Sequence, residues 1–264
     1  MPRALKEEKL LEQLLDEDIE PMELYYTEIR DTGDNSVLGL RSKTVIRSME
    51  LGELDPEQYW PVANKSPSGT AVFLWNLRQL CRDAMAIESE ALAMTKWLSV
   101  QTPISAIEEL DFAEAIRAIF DEEGFKAPSS ICLEFPPPAI YLDKDLLFGA
   151  IQNIKSVGVN VILTGVGEVN YPMGRLFGSE AKYLYLSHTL SSGFLEGANN
   201  LAVAEATVAY LKTLGFLVIA PWIEMDDSTG RRNAEGAGCV GYAPEQAGWK
   251  SMKMIREAKE RENR

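Results

Sequence analysis

The sequence predicts an α/β protein built on one mostly parallel sheet, covered by helices and closed into a barrel of about eight strands. Two observations carry this. Short apolar segments such as ICLEF, VNVIL, YLYLS and FLVIA alternate with longer segments of helical periodicity, and strands so uniformly apolar are buried on both faces, as in parallel sheets. The length of 264 residues falls near the ~250 of a single (β/α) barrel. With 46% hydrophobic and 25% charged residues, the chain has enough apolar surface for one large core and is not of the disordered class.

The elements follow in order. Leu5, Leu10, Leu11, Leu14, Leu15 and Ile19 fall near helical spacing among charged residues, which predicts an amphipathic helix that caps the barrel or binds a partner. Residues 1–20 are therefore read as an N-terminal helix or extension, and residues 21–264 as the barrel domain with its C-terminal helix. Residues 24–30 and 37–43 flank the turn-rich DTGDNS, the pattern of an antiparallel hairpin, so the first strand runs against the rest. A long helix is expected from about residue 70 to 94, a strand near 97–100, a helix through DFAEAIRAIFDEEG, and the strand ICLEF. The alternation continues with the helix LLFGAIQNIKSVG, the strand VNVIL, a short helix near YPMGRLF, the strand YLYLS and a helix over about 199–214. FLVIA and CVGY are the last strands, and SMKMIREAKERENR is a solvated closing helix with alternating charge. No repeat or interdomain linker interrupts this order, and Pro136, Pro137 and Pro138 fall in a short loop after a strand. In a parallel barrel chemistry sits at the C-terminal strand ends, so the residues after LSV, ICL, VIL, YLYL and LVIA are the ones to inspect.

Forty acidic residues against 26 basic ones give a net charge of −14. That field repels phosphate backbones and anionic headgroups, which disfavours polymeric nucleic acid and membrane surfaces and favours protein partners. Cys81, Cys132 and Cys239 form no CxxC pair, and His188 is the single histidine, so neither a disulfide framework nor a zinc site is expected. The first twenty residues lack the apolar core of a signal peptide, and no run reaches the ~18 apolar residues of a membrane span. The expectation is a cytoplasmic protein.

YYTEIRDTGDNSVLGL, LDPEQYWPVAN before WNLRQLCRDA, KWLSV, LDFAEAIRAIFDEEGFKAPSSICLEF, AIQNIKSVGVNVILTGVG, KYLYLS, LKTLGFLVIAPWIE and GCVGY follow one another in an order and spacing that resembles the EAL domain family, bacterial phosphodiesterases that linearise cyclic di-GMP. The resemblance spans nearly all of residues 21–250. It implies a modified TIM-like (β/α)8 barrel with an antiparallel first strand, and a site at the strand ends where carboxylates and one amide hold two divalent cations. Such cations demand oxygen ligands; they activate water and neutralise the phosphodiester.

Those ligands are what this sequence changes. Arg41, Ser42 and Lys43 stand where the family has Glu-Ala-Leu, which puts a cation at a ligating carboxylate. Gln101 replaces the family's asparagine. Glu134 keeps a ligand glutamate, while Pro137 takes the place of a supporting one. Thr164 and Gly165 occupy the positions of the paired aspartates that centre the metal site. Tyr185 and Ser187 replace a lysine and an aspartate, Pro221 replaces the first glutamate of Glu-Gly-Val-Glu, and Glu224 keeps the second. Glu134 and Glu224 are thus the surviving acids, enough for one weakly held magnesium ion but not for two-metal hydrolysis. The expectation is a catalytically inactive EAL-like regulatory protein that needs no metal or other cofactor and acts through protein–protein contact in bacterial signalling.

A non-catalytic cyclic-di-GMP receptor is the alternative, with Arg41, Lys43 and Arg175 as candidate anion-binding residues. Against it, the family's ligand-binding arginine corresponds to Val45. An active phosphodiesterase is the remaining alternative. The resemblance also implies a homodimer. His188 as a base with Cys132 as nucleophile lacks a third orienting group, and the glycines of TGVGEVNYPMG lack the spacing of a phosphate cradle, which marks a remodelled loop. Among five tryptophans, Trp222 is singled out because it follows a strand end beside Pro221 and is placed to fill the old pocket.

Overall fold

In the computed structural model, residues 22–48, 51–64, 67–89, 95–195, 197, 199–244 and 248–262 are described. The segment 5–19 expected to form an amphipathic helix lies outside the described residues, as do residues 90–94 at the expected end of the long helix.

Strands β1 (Met22–Asp31) and β2 (Val37–Ser48) form the expected antiparallel hairpin, longer than the sequence pattern suggested. Its turn is held by the Asp31 carboxylate, which accepts from Gly33 N at 2.8 Å, and Asn35 takes the left-handed conformation the reversal needs. A short β3 (Gly52–Leu54) extends β2 on its outer edge. Helices α1 (Pro56–Ala63) and α2 (Pro67–Ser89) then lead to β4 (Leu98–Gln101). After β4 come α3 (Phe112–Glu123), β5 (Ile131–Phe135), α4 (Lys144–Ser156), β6 (Asn160–Val166) and β7 (Tyr183–Leu186). The chain continues through α5 (Leu201–Thr213), β8 (Leu217–Pro221), α6 (Ser228–Ala237), β9 (Gly241–Ala243), β10 (Lys250–Ser251) and α7 (Met252–Glu262).

The ring is β1-β2-β4-β5-β6-β7-β8-β9 and back to β1, a closed eight-stranded barrel. Every pairing from β2 round to β9 is parallel, while β1 runs antiparallel to both of its ring neighbours. The fold expected from the sequence is therefore the fold observed.

Two side-chain layers explain the uniformly apolar strands. Leu98, Val100, Leu133, Phe135, Val161, Leu163, Leu184 and Val218 face outward and pack under the helices. Their alternates, Trp97, Cys132, Ile162, Tyr183, Tyr185 and Ile219, fill the barrel interior. Gly39 makes room for Trp97: a Cβ there would lie 2.7 Å from the indole ring. The helices present matching stripes, such as Leu147, Ile151 and Ile154 of α4, whose start is fixed by Asp143 accepting from Asp145 N and Leu146 N. The expected helix near YPMGRLF is only a single tight turn, Met173–Leu176. Helix α6 was not expected, because its glycines and charges hide any apolar stripe; Asp227 caps its start and the left-handed Gly238 ends it.

Candidate functional site

Because all ring strands but β1 run parallel, alternate side chains near their C-terminal ends turn toward the barrel axis, with a register shift between Leu163 and Val166 of β6. These ends surround a cavity of about 330 Å³. Of the positions singled out in the sequence, Arg41, Gln101, Glu134, Thr164, Gly165, Tyr185, Ser187 and Pro221 all line it. Residues far apart in the chain are brought to one place by the barrel alone.

At the floor of the cavity Arg41 from β2 meets Glu134 from β5. The guanidinium Nε donates to both carboxylate oxygens, at 3.2 and 3.1 Å. Ser99 Oγ donates to the same carboxylate at 2.5 Å. Glu134 is 2% exposed and Arg41 15%, so this is a buried ion pair whose acid is satisfied by protein donors. The Tyr185 ring lies 5.4 Å from the guanidinium, within reach of a cation–π contact. Burial first, and then the neighbouring Glu134 carboxylate, hold the Tyr185 hydroxyl well above the ordinary tyrosine range, so it stays protonated.

The remaining lining residues are also tied down. Thr164 Oγ1 donates to the Phe135 carbonyl at 2.9 Å, which turns the hydroxyl onto β5. Gly165 takes φ 71°, and a Cβ there would meet Pro137 Cγ at 2.6 Å. Gln101 Oε1 accepts from the Trp60 indole N–H. Ser187 caps the short helix beyond β7 by accepting from Leu190 N at 3.3 Å. His188 packs edge-on against Trp222, with ring centroids 4.7 Å apart. Trp222 itself has φ 68°, a left-handed conformation that a bulky residue rarely adopts.

Other expected site residues lie elsewhere. Glu224 is exposed and does not line the cavity: β8 ends at Pro221, the left-handed Trp222 turns the chain, Ile223 buries and Glu224 faces solvent. The candidate anion-binding trio is dispersed. Lys43 pairs with Asp55 at 2.7 Å and lies 5.1 Å from the Trp249 ring, while Arg175 donates to the Leu142 carbonyl; of the three only Arg41 lines the cavity. Cys132 sits within the barrel interior, fully buried and with its thiol pushed up by burial, whereas His188 lines the cavity and Cys132 does not. Sequence reasoning missed Glu168, Trp60, Asn64 and Thr102 as lining residues. Glu168 stood in view as the acid of the remodelled TGVGEVN loop; the others have no chemistry-bearing pattern in the chain.

This donor set does not fit a pair of divalent cations. Among the described residues no three His, Cys, Asp or Glu side chains gather as a metal site. The deepest carboxylate, Glu134, already accepts from Arg41 and Ser99.

Comparison with known proteins matches the EAL domain model over residues 8–240. No curated protein matches the chain. Among solved structures, the PaMucR phosphodiesterase in its c-di-GMP complex is similar, with 17% identity over 92% of this chain and 94% of that one, TM-score 0.76. So is the EAL domain of Mycobacterium smegmatis DcpA, with 16% identity over 90% and 97% of the two chains, TM-score 0.72. The FimX EAL domain from Pseudomonas aeruginosa bound to c-di-GMP shares 13% identity over 96% and 98%, TM-score 0.74. At these identities the likeness establishes the barrel.

Proposed function

The chain belongs to the EAL domain family, and from that premise we propose that it is a non-hydrolysing EAL domain that acts through contact with a protein partner in c-di-GMP signalling. One observation carries the proposal. The position of the family's first glutamate holds Arg41, and its guanidinium engages Glu134, the acid that survives at the strand ends. Two-metal hydrolysis needs two cations about 3.5–4 Å apart, each with oxygen ligands. Here a cation belonging to the protein neutralises the carboxylate instead. Gly165 supports the same reading, since its left-handed backbone packs against Pro137 where a bridging aspartate would need room.

Two surface features support the protein-contact part. The net charge of −14 disfavours polyanions. Apolar side chains are exposed on and beside α5, where Val203 is 57% exposed and the ring of Tyr210 meets that of Phe177, itself 52% exposed, a small patch compatible with a contact.

A second reading, a c-di-GMP receptor without hydrolysis, is favoured by the cavity that persists at the strand ends. Incubation with c-di-GMP and manganese, followed by chromatography for the linear dinucleotide, tests the main proposal. No product above the buffer control is expected, and turnover abolished by Glu134→Gln would overturn it. Calorimetric titration with c-di-GMP, with and without divalent metal, separates the two readings, and affinity capture that returns no specific partner would count against protein contact.

A further inference from the structure

Helix α5 departs from the pattern of an outer barrel helix, which hides one apolar stripe and turns a charged face to water. Its buried stripe is Ala204, Val208 and Leu211. The opposite face is formed by Ala202, Val203, Ala206, Ala209, Tyr210 and Thr213, all exposed and none charged. Glu205 and Lys212 are the two charged residues among its thirteen, whereas α3 carries five among twelve and α7 seven among eleven. Even the threonine hydroxyls are satisfied within the helix: Thr207 Oγ1 donates to the Val203 carbonyl at 2.8 Å and Thr213 Oγ1 to the Ala209 carbonyl at 2.9 Å.

The connection before β7 extends this face. The crossovers on either side of it carry helices of thirteen residues, but between β6 and β7 there is only the turn Met173–Leu176. Phe177 follows that turn and stands beside α5, its ring edge-on to Tyr210 at 6.2 Å, with 52% and 36% of the two residues open to solvent. Covering apolar surface of this kind is favourable, and the alanines let a second helix approach toward the short end of the ~8–10 Å range of interaxial distances.

The two charges select the occupant. Glu205 and Lys212 are seven residues apart, close to two turns, so they share one flank of the helix about 10 Å apart along its axis. Both are exposed, neither is in an ion pair with another described residue, and Lys212 reaches along that flank toward Gly238 of α6. A two-fold axis perpendicular to the helix and midway between them lays the helix antiparallel on its own copy and brings the same flank of each together. Glu205 of each copy then faces Lys212 of the other, the reciprocal contact that an isologous interface requires.

We propose that α5 is a self-association surface through which two copies of this chain pair antiparallel. Ala206 and Ala209 lie at the centre of the contact, Val203 and Tyr210 flank it, and Glu205 pairs with the second copy's Lys212 at each end. One helix pair is smaller than the ~1,200–2,000 Å² of a stable interface, and each copy carries a net charge of −14, so the dimer is a weak one.

Sedimentation velocity of the full chain over about 5–500 μM tests this, a range in which weak association is populated. Salt of ~0.15 M screens the long-range repulsion to a Debye length of ~8 Å. A reversible monomer–dimer equilibrium is expected. Glu205→Lys and Lys212→Glu each set like charges opposite one another twice and should weaken dimerisation at least about tenfold, while the double reversal should return it to within about threefold of the parent. Ala206→Glu should abolish it by placing a charge at the centre. Melting temperatures confirm that each variant is folded, and Glu205→Lys with Ala206→Glu carries the test if Lys212→Glu disturbs α6. A chain that stays monomeric throughout would overturn the proposal. A dimer indifferent to Glu205→Lys and Ala206→Glu, or a double reversal no tighter than the single ones, would do the same. None of these outcomes bears on hydrolysis, so the proposal stands or falls apart from the reading of the cavity.

Discussion

Replacing Arg41 by alanine is the most informative single perturbation of the site. Its Nε lies 3.1 Å from the nearer Glu134 oxygen, which at an effective dielectric of about 20 corresponds to a gross attraction of roughly 5 kcal/mol. Desolvation offsets part of this in the native protein, but the substitution leaves Glu134, 2% exposed, buried with only Ser99 as a donor. Breaking a buried pair in this way typically costs about 3–5 kcal/mol. Because Arg41 retains some solvent contact, we expect about 3 kcal/mol, measured as the loss of unfolding free energy in urea by linear extrapolation. The double variant Arg41→Met, Glu134→Met removes both charges and keeps apolar volume, and it should recover at least half of that loss. An Arg41→Ala cost below about 1 kcal/mol, on a scale where exposed pairs contribute ~0–1 kcal/mol, would refute the reasoning. A double variant as destabilised as the two single ones summed would refute it equally.

Three further outcomes are expected. Asp83 of α2 accepts from the Tyr26 hydroxyl at 2.6 Å and Gln79 at 2.9 Å, yet burial outweighs these bonds and pushes its carboxyl above the usual value. Its protonated form is thus favoured by folding, so this stabilisation is complete below the ordinary carboxylate range and is lost as pH rises through the raised value. Asp83→Asn should flatten that part of the stability–pH curve in parallel urea titrations, and an unchanged curve would contradict the assignment. Gly165→Asp restores a family aspartate but forces a Cβ against Pro137 at 2.6 Å in a left-handed backbone; it should cost about 1–3 kcal/mol in urea and yield no hydrolysis with manganese. The three buried thiols should resist Ellman's reagent at pH 8 in the native chain and react fully after unfolding, since burial pushes Cys81 and Cys239 up to about 12 and Cys132 higher still. A rapidly labelled native thiol would contradict their placement.

How much of this was legible in the chain follows from how each feature is encoded. The barrel was readable because buried parallel strands must be apolar on both faces and their helices must carry stripes, so ICLEF, VNVIL and the Leu147, Ile151 and Ile154 stripe declare themselves locally. The hairpin was readable because DTGDNS is turn chemistry between two apolar runs. Helix α6 was not, because a capped, glycine-containing and charged segment lacks the periodicity that identifies helices.

Within the site, the residue types at the strand ends can be read from the chain: Arg41, Thr164, Gly165, Tyr185 and Pro221 are visible as substitutions once the order of segments is recognised. What those residues do to one another cannot be read there. In the chain Glu224 reads as a surviving acid, but the left-handed Trp222 turns it outward; Lys43 and Arg175 read as partners of Arg41, but each is bonded elsewhere. That Arg41, 93 positions from Glu134, holds that carboxylate is a property of the folded barrel. Local composition sets which groups are available; closure of the barrel sets which of them share one small, poorly solvated volume, where charge must be paired and strain can be kept.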